Sequence, residues 1–212
     1  MLAWRSYLEE SVSYPADALT PAGGHCYAHL FENHRTGLPR NLYWSFTIDF
    51  ADLIIDGERA TPSLSVEWLV IPLRDWSDLV GIHRSERVRQ DVAGPEASFY
   101  LFEHHAADEF ELRVRGWRQA RGHDSRNRDP IEFNVEASLV VDIVGIDDIP
   151  QREHHVGGAA WVTFDGVVVR PDNLTPRPES NNMIREVLRP YIDPGCLAEP
   201  TTAPNWWLPV VQ

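Results

Sequence analysis

Alternation of apolar and polar residues along four segments constrains the fold of this chain more than any other feature. From residue 133 the odd positions are apolar and most even positions are polar, as in Phe133, Asn134, Val135 and Glu136. The segments 42–50, 64–70 and 110–114 repeat the pattern with apolar even positions. Successive side chains of a strand point to opposite faces, so each segment predicts a strand with one buried and one solvated face. Such strands are typical of an antiparallel sheet.

We therefore expect a mainly β protein, a β-rich α+β fold, whose roughly eight antiparallel strands form a sandwich or an open barrel. Apolar residues at helical spacing predict a short N-terminal helix within residues 4–12 and a short C-terminal helix within residues 183–191. A length of 212 residues favours one β-rich domain over 1–212. Residues 171–212, which contain several Pro and Trp residues, are expected to form a C-terminal extension packed on that domain.

Two further segments predict reversals of the chain. Asp165-Gly166 lies between the apolar runs 161–164 and 167–169, which predicts a tight hairpin because glycine accepts a positive φ at little cost. A second hairpin is expected between residues 99–103 and 110–117, with residues 104–109 as its loop.

Charge and composition limit the chemistry available to this chain. All 19 basic residues are arginine, and the formal net charge is −13. The absence of lysine excludes Schiff-base catalysis and lysine-bearing phosphate loops. A strongly negative field disfavours binding to nucleic acid or to anionic membranes, and it favours a basic partner. No apolar run approaches the length of a membrane span and no secretory signal pattern is visible, so a cytoplasmic location is expected.

The tripeptide Glu-His-His occurs twice, as residues 103–105 and 153–155, and suggests a metal site. Adjacent side chains on a strand point to opposite faces, so only alternate members of each tripeptide can share one ion. A site for a divalent metal would therefore require Glu103, His105, Glu153 and His155 to converge. The alternative is that these are solvated residues at strand ends.

Arginine is concentrated around Trp117, at Arg113, Arg115 and Arg118. Guanidinium groups on one strand face would suit a phosphate or carboxylate ligand, which makes these four residues a candidate anion-binding site. The alternative is that the arginines pair with Glu or Asp on a neighbouring strand.

Two smaller features leave their alternatives open. Cys26 and Cys196 could form a disulfide, or could be two buried thiols as is usual in a cytosolic protein. The stretch from His25 reads equally as a helix or as a strand. If it is a strand, Tyr27, His29 and Phe31 align on one face.

The leading functional hypothesis is a non-catalytic protein-binding domain that needs no cofactor and binds a basic partner. A bacterial inhibitor, immunity protein or antitoxin would fit, because charge complementarity speeds association and tryptophan is enriched at interfaces. The first alternative is a metal-dependent enzyme with a His and carboxylate site in a β-sandwich or barrel. The second is binding of an anionic small molecule by the arginine cluster. The sequence leaves the oligomeric state and the strand order open.

Overall fold

The structure, a computed structural model, describes residues 19–55, 58–89, 93–121, 129–142, 153–200 and 206–211. This part of the chain is mainly β, as the alternation predicts. Its strands are β1 (Pro21–Asn33), β2 (Leu38–Phe50), β3 (Leu53–Ile55), β4 (Glu58–Ala60), β5 (Ser63–Val70), β6 (His83–Arg87), β7 (Glu96–Leu101), β8 (Glu103–Gln119), β9 (Ile131–Asp142), β10 (Glu153–Val169), β11 (Leu197–Ala198) and β12 (Trp206–Pro209). An α-helix, α1, spans Asn181–Leu188, and 3-10 turns cover Trp76–Leu79, Pro171–Asn173 and Pro194–Cys196.

Backbone pairing joins seven strands into a path that returns to its first member. The antiparallel order is β1-β2-β5-β7-β8-β9-β10, and β1 also pairs with β10 in parallel, from His25 opposite Thr163 to Leu30 opposite Val169. We call these seven strands the pairing ring. β6 pairs with β8, and β12 lies between β10 and β11 and pairs with both. β3 and β4 form a separate two-stranded sheet. Both edges of β1 are thus occupied by other strands of the ring.

Apolar side chains from one face of every ring strand form a continuous core. Trp44, Phe46, Phe99 and Phe133 are each at most 1% exposed. Trp76, from the first 3-10 turn, packs edge-on against Phe133 with ring centroids 6.2 Å apart. The alternation of β9 is confirmed, since its odd positions from 131 to 141 are all buried.

The alternation of β5 breaks at a β-bulge. Leu64 and Val66 are buried as expected, but the register with β2 then shifts: Phe46 lies opposite Val66, and Trp44 lies opposite Leu69. Glu67 and Trp68 together fill the space opposite Ser45. Leu69 therefore enters the core, whereas Trp68 is partly exposed and Val70 is 43% exposed. The prediction that the even positions 68 and 70 face the core is wrong because the bulge reverses the faces.

The hairpin predicted at Asp165-Gly166 is also wrong. β10 runs without reversal from Glu153 to Val169, and Asp165 is an extra residue in its pairing with β1, where Cys26 lies opposite Phe164 and Tyr27 opposite Gly166. Gly166 has φ +107°, and a Cβ at this position would overlap the carbonyl oxygen of Trp207. The glycine thus serves a bulge and the close approach of β12, not a turn.

The other predicted hairpin forms with a shorter connection. β7 pairs with β8 from Ser98 opposite Ala106 to Leu101 opposite Glu103, and the chain reverses at Phe102, which has φ +60°. Residues 104–109, expected as the loop, belong to β8.

The C-terminal part of the chain is anchored to the ring strands at several points. Glu32 in β1, only 8% exposed, accepts hydrogen bonds from Arg40 and from the backbone N–H of Thr175. Tyr191 donates to the carbonyl of Arg40, and β12 pairs with β10. The C-terminal helix is confirmed as α1, capped by Ser180. The N-terminal helix expected within residues 4–12 lies outside the described residues.

Cys26 and Cys196 are both buried and do not form a disulfide. Burial raises the pKa of Cys26 well above its ordinary value and raises that of Cys196 to about 12. Within the described ranges, no helix has the length and apolar character needed to cross a membrane.

Gly166→Ala should destabilise the fold by about 3 kcal/mol or more, because it combines backbone strain with displacement of the Trp207 backbone. Gly37→Ala is the matched control, since Gly37 also has a positive φ (+76°) but a Cβ there would meet nothing within 4 Å. That variant should cost only about 1–2 kcal/mol. Urea unfolding of both variants measures the difference, and equal losses would contradict the proposed close approach of β12.

Candidate functional site

The structure places two of the four predicted metal ligands, His105 and His155, in different surroundings. His105 is buried in β8 and Glu103 is exposed at the start of that strand. His155 in β10 is exposed, because its neighbour His154 is the member of the pair that lies opposite the buried Val141. Glu153 begins β10 opposite Asp142, and its side chain lies outside the described part. The structure therefore does not bring His105 and His155 together. Among the described residues, no group of three or more His, Cys, Asp or Glu side chains could hold a metal ion.

Two histidines instead contribute to the buried face of the ring. His105 and His154 are each 2% exposed. Burial lowers the pKa of His105, an effect that the Leu101 backbone and Glu103 partly offset. Within the described residues, neither ring nitrogen of His105 makes a hydrogen bond of ordinary geometry. Burial therefore disfavours the protonated form of this imidazole.

The predicted arginine cluster forms a ladder of ion pairs along β8. Arg115 donates to Glu136 of β9 from both Nε and Nη2, at 3.0 and 2.6 Å. Arg118 donates to Glu132 at 2.7 Å, and its guanidinium lies 4.1 Å from the ring centroid of Trp161. These are the cross-strand pairs that the sequence left as the alternative to an anion site.

Arg113 and Trp117 have partners of their own. Arg113 binds Glu111 two residues away on the same face, and Glu111 also lies 2.8 Å from Nε2 of His83. Arg113 and then His83 lower the pKa of Glu111 below its ordinary value. The ring of Trp117, 40% exposed, packs edge-on against Trp76 at 5.2 Å.

A shallow groove of about 470 Å³ lies over this ladder on the outer face of β8, β9 and β10. Its floor consists of small residues, among them Ser138, Gly157 and Ala159, and its walls include Glu111, Arg113, Glu136 and His155. Glu111 already pairs with Arg113, and Glu136 pairs with Arg115 beside the groove. The groove therefore offers a mixed, nearly neutral surface and no unpaired cluster of cations.

A second outer surface is formed by aromatic side chains on β1, β2, β5 and β12. Neighbouring rings are in contact along it: His29 with Phe31 at 5.2 Å, Phe31 with Trp68 at 5.5 Å, and Trp68 with Tyr43 at 5.6 Å. A second group joins His25, Tyr27 and Trp206. We call this surface the aromatic face; its members are Tyr27, His29, Phe31, Tyr43, Trp68 and Trp206. All of them except Tyr43 are partly exposed.

The β5 bulge brings Trp68 to the aromatic face. Trp68 has φ +60°, a conformation that is rare and strained for a bulky side chain. Ser45 lies opposite the bulge on one edge of β2 and opposite Tyr27 of β1 on the other. The small Ser45, 6% exposed, is therefore flanked on both sides by large side chains.

Two carboxylates adjoin the aromatic face. Glu67 of β5 lies directly opposite Glu96 of β7, so both side chains share the outer face. Burial, and then the charge of Glu96, raise the pKa of Glu67, while His104 and His25 act in the opposite sense. Within the described residues no arginine forms an ion pair with Glu67. Two like charges face each other here in a partly buried setting.

Sequence reasoning missed this surface because it assigned Trp68 to the core. The alignment of Tyr27, His29 and Phe31 on one strand face was anticipated as one of two alternatives. The run Trp68-Leu69-Val70 contains three consecutive apolar residues, and such a run is the one local signal that a strict alternation had ended. No protein-family model, curated protein or solved structure matches this chain.

His29 makes the aromatic face sensitive to acid. Burial, and then the charge of Arg170, lower its pKa to about 4. Between pH 6.5, the ordinary pKa of histidine, and pH 4, His29 is protonated in the unfolded chain but not in the folded chain. The free energy of unfolding should therefore fall as the pH drops from 6.5 to 4. The slope is at most about 1.4 kcal/mol per pH unit, and less because the ring is partly exposed. In His29→Phe the urea concentration at the unfolding midpoint should change less with pH over this window. A pH dependence equal to that of the unmodified chain would contradict the burial of a neutral His29.

Proposed function

We propose that this chain is a non-catalytic binding domain that recognises a basic protein partner. We also infer that its pairing ring closes as a barrel, since both edges of β1 are paired within the ring. The observation that carries the functional proposal is the pairing of the clustered arginines with glutamates. Each of Arg113, Arg115 and Arg118 is held by a carboxylate, so this cluster does not offer an open cationic surface against the overall charge of −13.

The filled core supports recognition at the outer surface. Large side chains such as Trp44, Trp207 and Phe133 are 0% exposed and belong to the apolar core. Polar and aromatic groups that could contact a partner lie outside, on the aromatic face and along the ladder. Partly exposed Trp and Tyr side chains supply large contact areas with little loss of conformational freedom, which is why they recur at the energetic centres of interfaces.

Charge complementarity argues for a basic partner. An acidic surface accelerates encounter with a cationic protein and discriminates against anionic ones, and this effect weakens with salt. Inhibitors that neutralise a basic toxin, such as immunity proteins or antitoxins, form one class with these properties. Among the alternatives, the anionic ligand is the one that the arginine pairing disfavours most directly, because binding would have to displace glutamates already in contact. A metal-dependent reaction would require ligands other than the predicted set, since His105 is buried and His155 is exposed.

An unbiased peptide selection tests the proposal. The purified chain is used to select binders from a library of displayed random peptides, at low and at high salt. The enriched sequences should be rich in arginine and lysine, and synthetic versions should bind more weakly as salt increases. The same peptides with glutamine at each basic position are the control and should not bind. Enrichment of neutral or acidic sequences would overturn the assignment of a basic partner.

A further inference from the structure

We propose that the aromatic face, together with Glu67 and Glu96, is the surface on which the basic partner docks, and that it receives arginine or lysine side chains. This inference rests on the proposed function and deepens it by naming the surface and the chemistry of the contact. Guanidinium and ammonium groups bind carboxylates through charge-assisted hydrogen bonds and bind aromatic rings through cation–π attraction. The aromatic face offers both kinds of acceptor at one bulge, where Glu67 and Trp68 are consecutive residues.

The opposed carboxylates supply the charge argument. Glu67 and Glu96 are register partners, and like charges directly opposite each other on neighbouring strands are unfavourable. A cation placed between them removes this repulsion. The arginines of the ladder supply counter-charges to Glu111, Glu132 and Glu136 on β8 and β9, whereas in the described part of the chain no arginine supplies one to Glu67. A partner's arginine or lysine supplies the counter-charge that this chain provides elsewhere for itself.

The shape of the surface fits a long side chain. Ser45 lies between Tyr27 on one side and Glu67 with Trp68 on the other, so the small hydroxyl is the low point between larger groups. An aliphatic stem can pack along the rings of the aromatic face while its cationic end reaches Glu67. In the groove over β8–β10, by contrast, the carboxylates of Glu111 and Glu136 already bind arginine.

The raised pKa of Glu67 adds a second readout. A cation beside Glu67 stabilises the ionised carboxylate, so binding at a pH near its pKa should release a proton from this group. Glu67→Gln should remove that release. A contact driven only by the overall charge of the protein would not involve Glu67 in this way.

The experiment compares two variants that change the net charge equally. The probe is a short peptide of alternating arginine and glycine, with the matched peptide carrying glutamine for arginine as control. Glu67→Gln removes the proposed contact, whereas Glu86→Gln removes an exposed carboxylate on β6, beside β8. Titration calorimetry in buffers of different ionisation enthalpy gives affinity and proton release. In two-dimensional NMR spectra the indole N–H signals of Trp68 and Trp206 should shift on binding, while those of Trp117 and Trp161 should not.

The inference predicts that Glu67→Gln weakens binding about tenfold, the effect of losing one charge-assisted contact, and abolishes proton release. Glu86→Gln should weaken binding less than about twofold. Equal losses for both variants, with unshifted Trp68 and Trp206 signals, would overturn the aromatic face as the docking surface while leaving a basic partner in place. If the unmodified chain does not prefer the arginine peptide over the glutamine peptide, the proposed function itself fails.

Discussion

Hydrogen bonding between strands decides which side chains are buried, because register partners must lie on the same face of the sheet. In the pairing ring one face is buried in the apolar core. A residue that pairs regularly therefore faces the core or the outside together with its register partner. A bulge changes the face on which each following residue of the strand lies. The bulge opposite Ser45 sends Leu69 inward and Trp68 outward, and the aromatic face depends on that reversal.

The strand content was predictable wherever pairing is regular. β9 keeps one parity from 131 to 141, and its buried residues follow from the sequence alone. β5 and β8 change parity at bulges, and nothing in an apolar pattern specifies which of Trp68 and Leu69 becomes the inner residue. The histidine pairs show the same difficulty. His154 is buried and His155 is exposed because His154 pairs with the buried Val141. The sequence His-His has the same residue at both positions, so it does not indicate which of the two faces the core. The Asp-Gly signal at 165 failed for a related reason, since a glycine that permits a turn also permits a bulge.

The distribution of ion pairs divides the outer surface into two regions. Along β8 and β9, arginines and glutamates satisfy one another and the groove above them is nearly neutral. Around the β5 bulge, carboxylates face each other among aromatic rings. Glu32 shows how this chain treats a buried carboxylate that is structural: Arg40 and the Thr175 N–H offset the effect of burial, and the pKa of Glu32 falls. In the part of the chain that the structure describes, Glu67 receives no such support from a guanidinium or a backbone N–H, and burial raises its pKa. That contrast is the physical basis for assigning binding to one region and structure to the other.

The exposure of the Trp68 side chain tests the central claim most directly. Fluorine NMR of the chain labelled with 5-fluorotryptophan, with each signal assigned by a Trp→Phe variant, gives the solvent isotope shift of every indole ring between H₂O and D₂O. The bulge predicts a clear isotope shift for Trp68 and none for Trp44 and Trp207, which are 0% exposed. A Trp68 signal as insensitive to solvent as that of Trp44 would mean that simple alternation holds through β5, and the aromatic face would not exist.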